Sequence, residues 1–211
     1  MGDWIDLLSE AVGGRVVACN DEFFAPAANL VRVEPPVWKE GLYTEQGKWM
    51  DGWETRRRRT PGHDWCVLAL GIPGRIRSVT VDTAHFTGNY PEAVALWGCA
   101  GLDEAEPDGG AWTELIPLTH LEGDSVATFD VDDPHRITHL RLDIHPDGGV
   151  ARLGVYGDPI PGRDLVCGEV DLASGLVGGR GVEASDALYG SVANLVSPGD
   201  PRGMWDGWET R

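Results

Sequence analysis

The stretch THLRLDI, Thr138 to Ile144, alternates apolar and polar side chains without a break. A period of two places Leu140, Leu142 and Ile144 on one face and His139, Arg141 and Asp143 on the other, the pattern of a half-buried β-strand. The polar face, with His145 beyond it, reads as solvated. Further strands are expected at Ala151–Tyr156, Val126–Val131 and Val94–Cys99. Upstream, Val79 and Val81 share a face, which puts Thr80 and Asp82 on the opposite one. Val67–Leu70 precedes a Gly-Ile-Pro-Gly segment expected to turn, and another short strand lies in RVVAC. Helical spacing is confined to Ile5, Leu8 and Val12, with Gly13-Gly14 as a stop. Many short strands with turn signals between them predict an all-β chain, an antiparallel β-sandwich or jelly roll from about Gly14 to Gly157.

The composition fits this reading. There are 29 glycines and 14 prolines in 211 residues, and the net charge is -17. Such an acidic surface repels phosphate backbones and anionic lipid, so neither nucleic acid nor a membrane is an expected partner. No apolar run approaches membrane-spanning length, and the opening MGDWIDLLSE carries acids where a secretion signal needs basic residues, so a cytoplasmic location is expected. Cys19, Cys66, Cys99 and Cys167 form no C-x-x-C pair and read as reduced thiols.

Two internal repeats organise the chain. DLLSEAVGGRVVACNDEFFAPAANLV (6–31) aligns without gaps to DLASGLVGGRGVEASDALYGSVANLV (171–196), and DGWETR (51–56) returns at 206–211. The offset is 165 residues in the first pair and 155 in the second, so one loop is ten residues shorter in the second copy. A period this long marks a duplicated domain rather than a solenoid. Residues 1–160 are assigned to the first copy, and 161–211 to a linker and the N-terminal fragment of the second. Because the second copy reaches Arg211 without counterparts of the later strands, residues 171–211 are expected to be less well ordered and to expose Leu176, Val177, Leu188, Tyr189, Leu195, Val196, Trp205 and Trp208. Self-association into a homo-oligomer would then be favoured, and the 211-residue chain alone would have little activity.

DEFFAPAANLV, KWMDGWETRRRR, GHDW and VDTAHFTGNYPEA occur in an order and at separations that resemble the allantoicase (allantoate amidinohydrolase) family. The resemblance covers essentially the whole chain; FFAP is replaced by LYGS at 188–191 in the second copy. It implies tandem jelly rolls of the galactose-binding-like type and hydrolysis of allantoate to ureidoglycolate and urea in purine degradation. That chemistry requires a cation for the substrate carboxylate, an acid for the departing nitrogen and a base for water. Arg56 and Arg57 are the clamp candidates, since guanidinium grips a carboxylate through paired hydrogen bonds. Arg58 and Arg59 read as a solvated run or as partners of the acidic excess.

Glu54, Asp82 and His85 are the acid–base candidates, with His85 oriented by Asp82, and Glu54, Arg56 and His85 are expected to meet in one cleft. Asp51 reads equally as a substrate contact or a salt-bridge partner. Asn89, His63 and the Trp53 ring are further candidate substrate contacts, and Trp49, Trp53 and Trp65 read as core or pocket wall. No covalent nucleophile is required, and no cofactor is assigned. A divalent metal held by Asp82, His85 and a carboxylate is left open, although no H-x-x-x-H spacing supports it. Two rival readings are a non-catalytic jelly roll that binds carbohydrate on an exposed tryptophan and a truncated, inactive relative of the hydrolase.

Overall fold

The computed structural model describes residues 4–162, 169–198, 203–204 and 207–211. Cys167, Trp205 and Asp206 lie outside the described residues. Among the described residues there are ten strands: β1 (Ile5–Asp6), β2 (Arg15–Cys19), β3 (Trp53–Glu54), β4 (Asp64–Asp82), β5 (Ala93–Cys99), β6 (Thr113–His120), β7 (Val126–Asp130), β8 (Ile137–His145), β9 (Gly149–Val150) and β10 (Arg152–Pro159). All their pairings are antiparallel. The protein is an all-β sandwich of the jelly-roll class.

One strand carries the architecture. β4 is 19 residues long, about three times an ordinary strand, and contributes to both layers. Its first half, Asp64 to Ala69, lies between β2 and β8, and β8 continues the layer to β5 and β6. Its second half, Gly74 to Asp82, lies between β10 and β7, and β10 continues to β1. The crossover falls at Gly71-Ile72-Pro73-Gly74, where the pairing with β8 shifts register between Ala69 and Gly74. The expected turn there is therefore a bend within one strand. Gly71 permits it: a Cβ would sit 2.3 Å from the Val12 carbonyl oxygen, so only glycine lets the 9–13 segment pack against the bend.

Between the layers the alternation is obeyed. Leu140, Leu142 and Ile144 are fully buried against Leu68, Leu96, Val79, Val81, Leu153 and Val155. The opposite face of β8 departs from expectation. Asp143 is buried, accepts a 3.0 Å bond from Trp97 Nε1 and a 2.8 Å bond from Arg141 Nε, and His139 reaches Glu104 of the acidic 101–110 loop at 3.2 Å. That face is only half solvated because β5 and this loop carry partners for its polar groups. The expected helix at 4–12 is also replaced, by β1 and a single 3-10 turn at Glu10–Val12, which ends at Gly13 as anticipated. Ile5 and Leu8 serve a strand end and a buried loop; three apolar positions were too few to outweigh strand pairing with β10. Cys19, Cys66 and Cys99 are free thiols.

The second copy reproduces the local geometry of the first. Both begin with a serine-capped 3-10 turn closed by a glycine at φ 94°. In both, the tryptophan Nε1 donates 2.8 Å to an aspartate carbonyl, Trp53 to Asp21 and Trp208 to Asp186. Asn29 and Asn194 each donate 2.9 Å to the carbonyl of the DGW glycine, Gly52 or Gly207. What differs is burial. Trp53 and Leu30 are 0% exposed, whereas Trp208 and Leu195 are 40% and 62% exposed. The same motif buries the core in one copy and presents apolar surface in the other. Replacing Trp53 by alanine should cost about 3–5 kcal/mol and Trp208 less than about 1 kcal/mol in denaturant unfolding of this chain. Equal losses would show that the second tryptophan is buried in solution.

Candidate active-site rim

The DGWETR string meets the rest of the molecule residue by residue. Asp51 is buried, with Arg152 Nη2 at 3.0 Å and Arg32 Nη1 at 3.2 Å, and it also accepts a 2.9 Å bond from the Val37 amide. Burial alone would raise its carboxyl pKa, but Arg152, Val37 and Arg32 together hold it below the usual range. Gly52 lies so close to β9 and β10 that a Cβ would come within 2.6 Å of the Val150 oxygen and 2.8 Å of the Phe86 ring. Trp53 fills the core, and Thr55 is tied to Gly148 by hydrogen bonds in both directions. Asp51 is thus a structural ion-pair partner, and Trp53 belongs to the core rather than to a ligand surface. Only Glu54 and Arg56 point outward.

Glu54 and His85 are attached to one loop, 83–90, which follows β4. Phe86 anchors that loop in a small cluster with Met50 and Ala151. On one side, Asn89 Nδ2 donates 2.7 Å to Glu54 Oε1. On the other, His85 holds φ 70°, a left-handed conformation that costs a non-glycine residue about 1 kcal/mol or more. It is fixed there by its amide, 2.8 Å from Asp124 Oδ1, while its Nε2 lies 3.2 Å from the Pro36 carbonyl. Burial raises the Glu54 carboxyl pKa, with Asn89 and the charge of Lys48 offsetting part of the effect. Asp82, at the start of the loop, is raised by burial in the same way, against the Ala84 amide, Arg152 and His85.

Arg56 does not join them. Its Nε lies 2.6 Å from Asp21 Oδ2 and its guanidinium over the Phe23 ring at 5.3 Å, in a shallow depression shared with Cys19, Asn20 and Glu22. Because Asp21 holds its backbone amide as well, the side chain is turned toward that loop. Among the described residues no hydrogen bond links Arg56 to Glu54 or His85; its partner is Asp21, whereas Glu54 is held by Asn89 and His85 faces Pro36. Arg57 is exposed, 3.8 Å from Asp147. Arg58 takes the acidic-partner alternative; its Nη1 is 2.6 Å from the buried Asp64.

His63 stacks on His145 at 4.3 Å and stands 3.5 Å from Asp143, without a hydrogen bond at its buried Nε2. This pair belongs to the β8 face and forms no hydrogen bond or ion pair with Glu54 or Asn89 among the described residues. Trp49 and Trp65 are half-buried, each beneath a cation, Lys39 and Arg141 respectively. No group of three or more His, Cys, Asp and Glu side chains is placed to hold a metal ion among the described residues. Asp82 Oδ1 accepts the Ala84 amide, and His85 Nε2 lies against the Pro36 carbonyl.

A groove beside the rim was not anticipated. Asp82, Arg152, Thr80, Gly154 and Tyr156 share the outer face of β4 and β10, and with Asp6 and the 32–36 loop they line a groove of about 490 Å³. Asp6 accepts the Leu8 and Val155 amides, yet burial still lifts its carboxyl pKa to about 6. Four residues of β10 separate the Asp82 and Asp6 ends, about 14 Å, too far for one small substrate to bridge as an acid–base pair. Arg152 was not singled out in the sequence, although its cross-strand register with Asp82 follows once β4 and β10 are paired.

The model of the allantoicase repeat matches residues 5–160. The chain belongs to the allantoicase family. It is 47% identical to a probable allantoicase of Pseudomonas aeruginosa and 42% identical to one of Photobacterium profundum, in each case over 98% of this chain and 63% of the relative. It therefore spans 63% of the length of the curated relatives it matches. Among solved structures, allantoicase from Saccharomyces cerevisiae superposes with a TM-score of 0.80 at 32% identity, covering 98% of this chain and 63% of that one. The C-terminal domain of a Bacteroides fragilis chitobiase, at 13% identity and TM-score 0.52, shares the fold alone. The sandwich is thus of the galactose-binding-like type shared by allantoicases and such modules. No helix among the described residues is long and apolar enough to cross a membrane.

Two measurements check these electrostatics. Replacing Arg152 by methionine leaves Asp51 buried with its principal partner gone and should cost about 3–5 kcal/mol in chemical unfolding; a neutral result would mean that Arg32 alone satisfies Asp51. For Asp6, a native pKa near 6 against 3.8 unfolded means that the native state holds the proton more tightly. Its contribution is favourable at low pH and is lost as pH rises from about 4 to about 6. Asp6→Asn keeps the acceptor oxygen, so it should be more stable than the parent at pH 7 by up to about 3 kcal/mol and should lack this part of the pH slope. Parallel slopes in parent and variant would place Asp6 in water.

Proposed function

We propose that this chain carries a site for allantoate hydrolysis, yielding ureidoglycolate and urea in purine degradation. The observation that carries the reading is the allantoicase-repeat match over 5–160, the residues that build the rim. The raised carboxyl of Glu54, fixed by Asn89, is the general acid for the departing ureido nitrogen. Asp82 and His85 supply the base side: one of them takes a proton from water, whose oxygen bonds to the central carbon as the carbon–nitrogen bond breaks. The nitrogen leaves as urea with the proton from Glu54. Nothing in this step needs a covalent nucleophile.

The carbohydrate-module reading is not favoured. It relies on an exposed aromatic platform, and the tryptophan proposed for it, Trp53, is in the core. In this reading the substrate is a small anion and the protein works in the cytoplasm. Homo-association through Leu188, Tyr189, Leu195 and Trp208, all exposed, belongs to the same proposal.

The test is urea release from allantoate by the purified chain, with and without added divalent metal. Low turnover is expected from this chain alone, with Glu54→Gln and Asp82→Asn each lowering the residual kcat at least about 100-fold, the scale of general acid–base catalysis, at similar KM. Arg56→Ala should change kcat/KM less than about threefold, since Asp21 already neutralises that side chain. Full activity in Glu54→Gln would remove Glu54 from the mechanism. A large KM increase in Arg56→Ala would restore it as the clamp.

A further inference from the structure

The reaction needs a cation for the substrate carboxylate, and the arginines nearest the rim are committed elsewhere: Arg56 to Asp21, Arg32 and Arg152 to Asp51. The sequence contains two lysines, Lys39 and Lys48. Both lie in the β-hairpin 37–49, closed by the reciprocal bonds of Thr44 and Gly47 and by the Tyr43–Lys48 bridge. Each ammonium rests on a tryptophan of the same hairpin, Lys48 over Trp38 at 3.8 Å and Lys39 over Trp49 at 4.9 Å. In a chain of net charge -17, neither forms an ion pair among the described residues.

The hairpin is positioned on the rim. Its Val37 amide is bonded to Asp51, the Trp38 ring lies 6.0 Å from His85, and the charge of Lys48 is felt at Glu54. It also accounts for the difference between the two copies. Residues 32–50 connect Val31 to Asp51 in the first, and only 197–205 connect Val196 to Asp206 in the second, so the ten extra residues and both lysines belong to the first copy. An aromatic face holds an ammonium without neutralising it. A lysine so held and unpaired remains available to an incoming anion.

We propose that the hairpin 37–49 is the substrate-selecting element of the first repeat, and that Lys48, presented on Trp38 beside Glu54 and Asn89, receives the carboxylate of the anionic ureido substrate. This rests on the hydrolase reading for the identity of the substrate but not for the existence of the receptor. It also makes the two copies unequal: the second has the DGWETR string and no hairpin lysine.

The experiment is calorimetric binding of allantoate, and of its uncharged primary amide, to the full chain and to Lys48→Met, Lys48→Arg and Lys39→Met, with urea release followed in parallel. Lys48→Met should weaken allantoate binding about tenfold or more, as for loss of one charge-assisted hydrogen bond, and leave amide binding within about twofold of the parent. Lys48→Arg should restore most of the affinity. Lys39→Met removes the same charge from the same hairpin and should change little, which separates a positioned contact from general attraction. Equal losses for acid and amide, or an unchanged Lys48→Met, overturn the proposal, as does a parent chain that does not bind allantoate. Binding that depends on Lys48 without urea release would sustain the receptor and remove the hydrolase reading. Hydrolysis that ignores Lys48 would do the reverse.

Discussion

The structure depends on a single strand serving two sheets. β4 enters one layer at Asp64, bends through Gly71–Gly74 and leaves the other layer at Asp82. Because its alternation is read on both sides of the bend, Leu68 and Val79 face the same core although they lie in different sheets. A strand so shared fixes the relative position of the layers covalently, so packing need not do it alone. It also decides where the rim forms. Loop 83–90 leaves the far end of β4, and Asp82 is the last residue of the strand.

The Asp51–Arg152 pair is the electrostatic counterpart of that bend. Both side chains are largely removed from water, and the guanidinium is satisfied by the Glu34, Asp51 and Ala151 carbonyls as well as by the carboxylate. A buried pair is a poor source of net stability but a strong constraint on geometry, because leaving either partner alone is costly. Here it ties the segment before β3 to the first residue of β10 and holds the base of the hairpin through Val37. The rim is built on a frame whose charges are spent internally. Unspent cations near it therefore stand out.

Duplication sharpens this contrast. The copies agree in the opening serine cap, in the tryptophan–aspartate bond and in the arginine–aspartate pair, Arg56 with Asp21 and Arg211 with Asp186. Those shared contacts are the ones a segment can make with itself, which is why they form whether or not a sheet lies beneath. Burial of Trp53 needs β4, β8 and β10; Trp208 makes the same hydrogen bond and remains partly in water. A repeated string thus identifies a repeated local structure, and its surroundings decide whether that structure is core or surface.

What the sequence determined by itself was periodicity and repetition. The alternation in THLRLDI and Val79/Val81 placed strands and inward faces correctly, because a side-chain period of two is a local property of the backbone, and Val94–Cys99 was placed as a strand. The family was legible in the long motifs for a similar reason, since they preserve residue order. The site was only partly legible. Trp53 already read as core or pocket wall and is in the core, whereas Asp51 read equally as a substrate contact or a salt-bridge partner, and only the cross-strand approach of Arg152 decides for the salt bridge. Arg56 looked like a clamp until Asp21, 35 positions away, was found to hold it. Asn89 and Glu54, equally distant in sequence, do meet. Which outward carboxylates and cations are paired is decided by contacts between remote segments, and no spacing along the chain encodes them. That decision belonged to the tertiary structure.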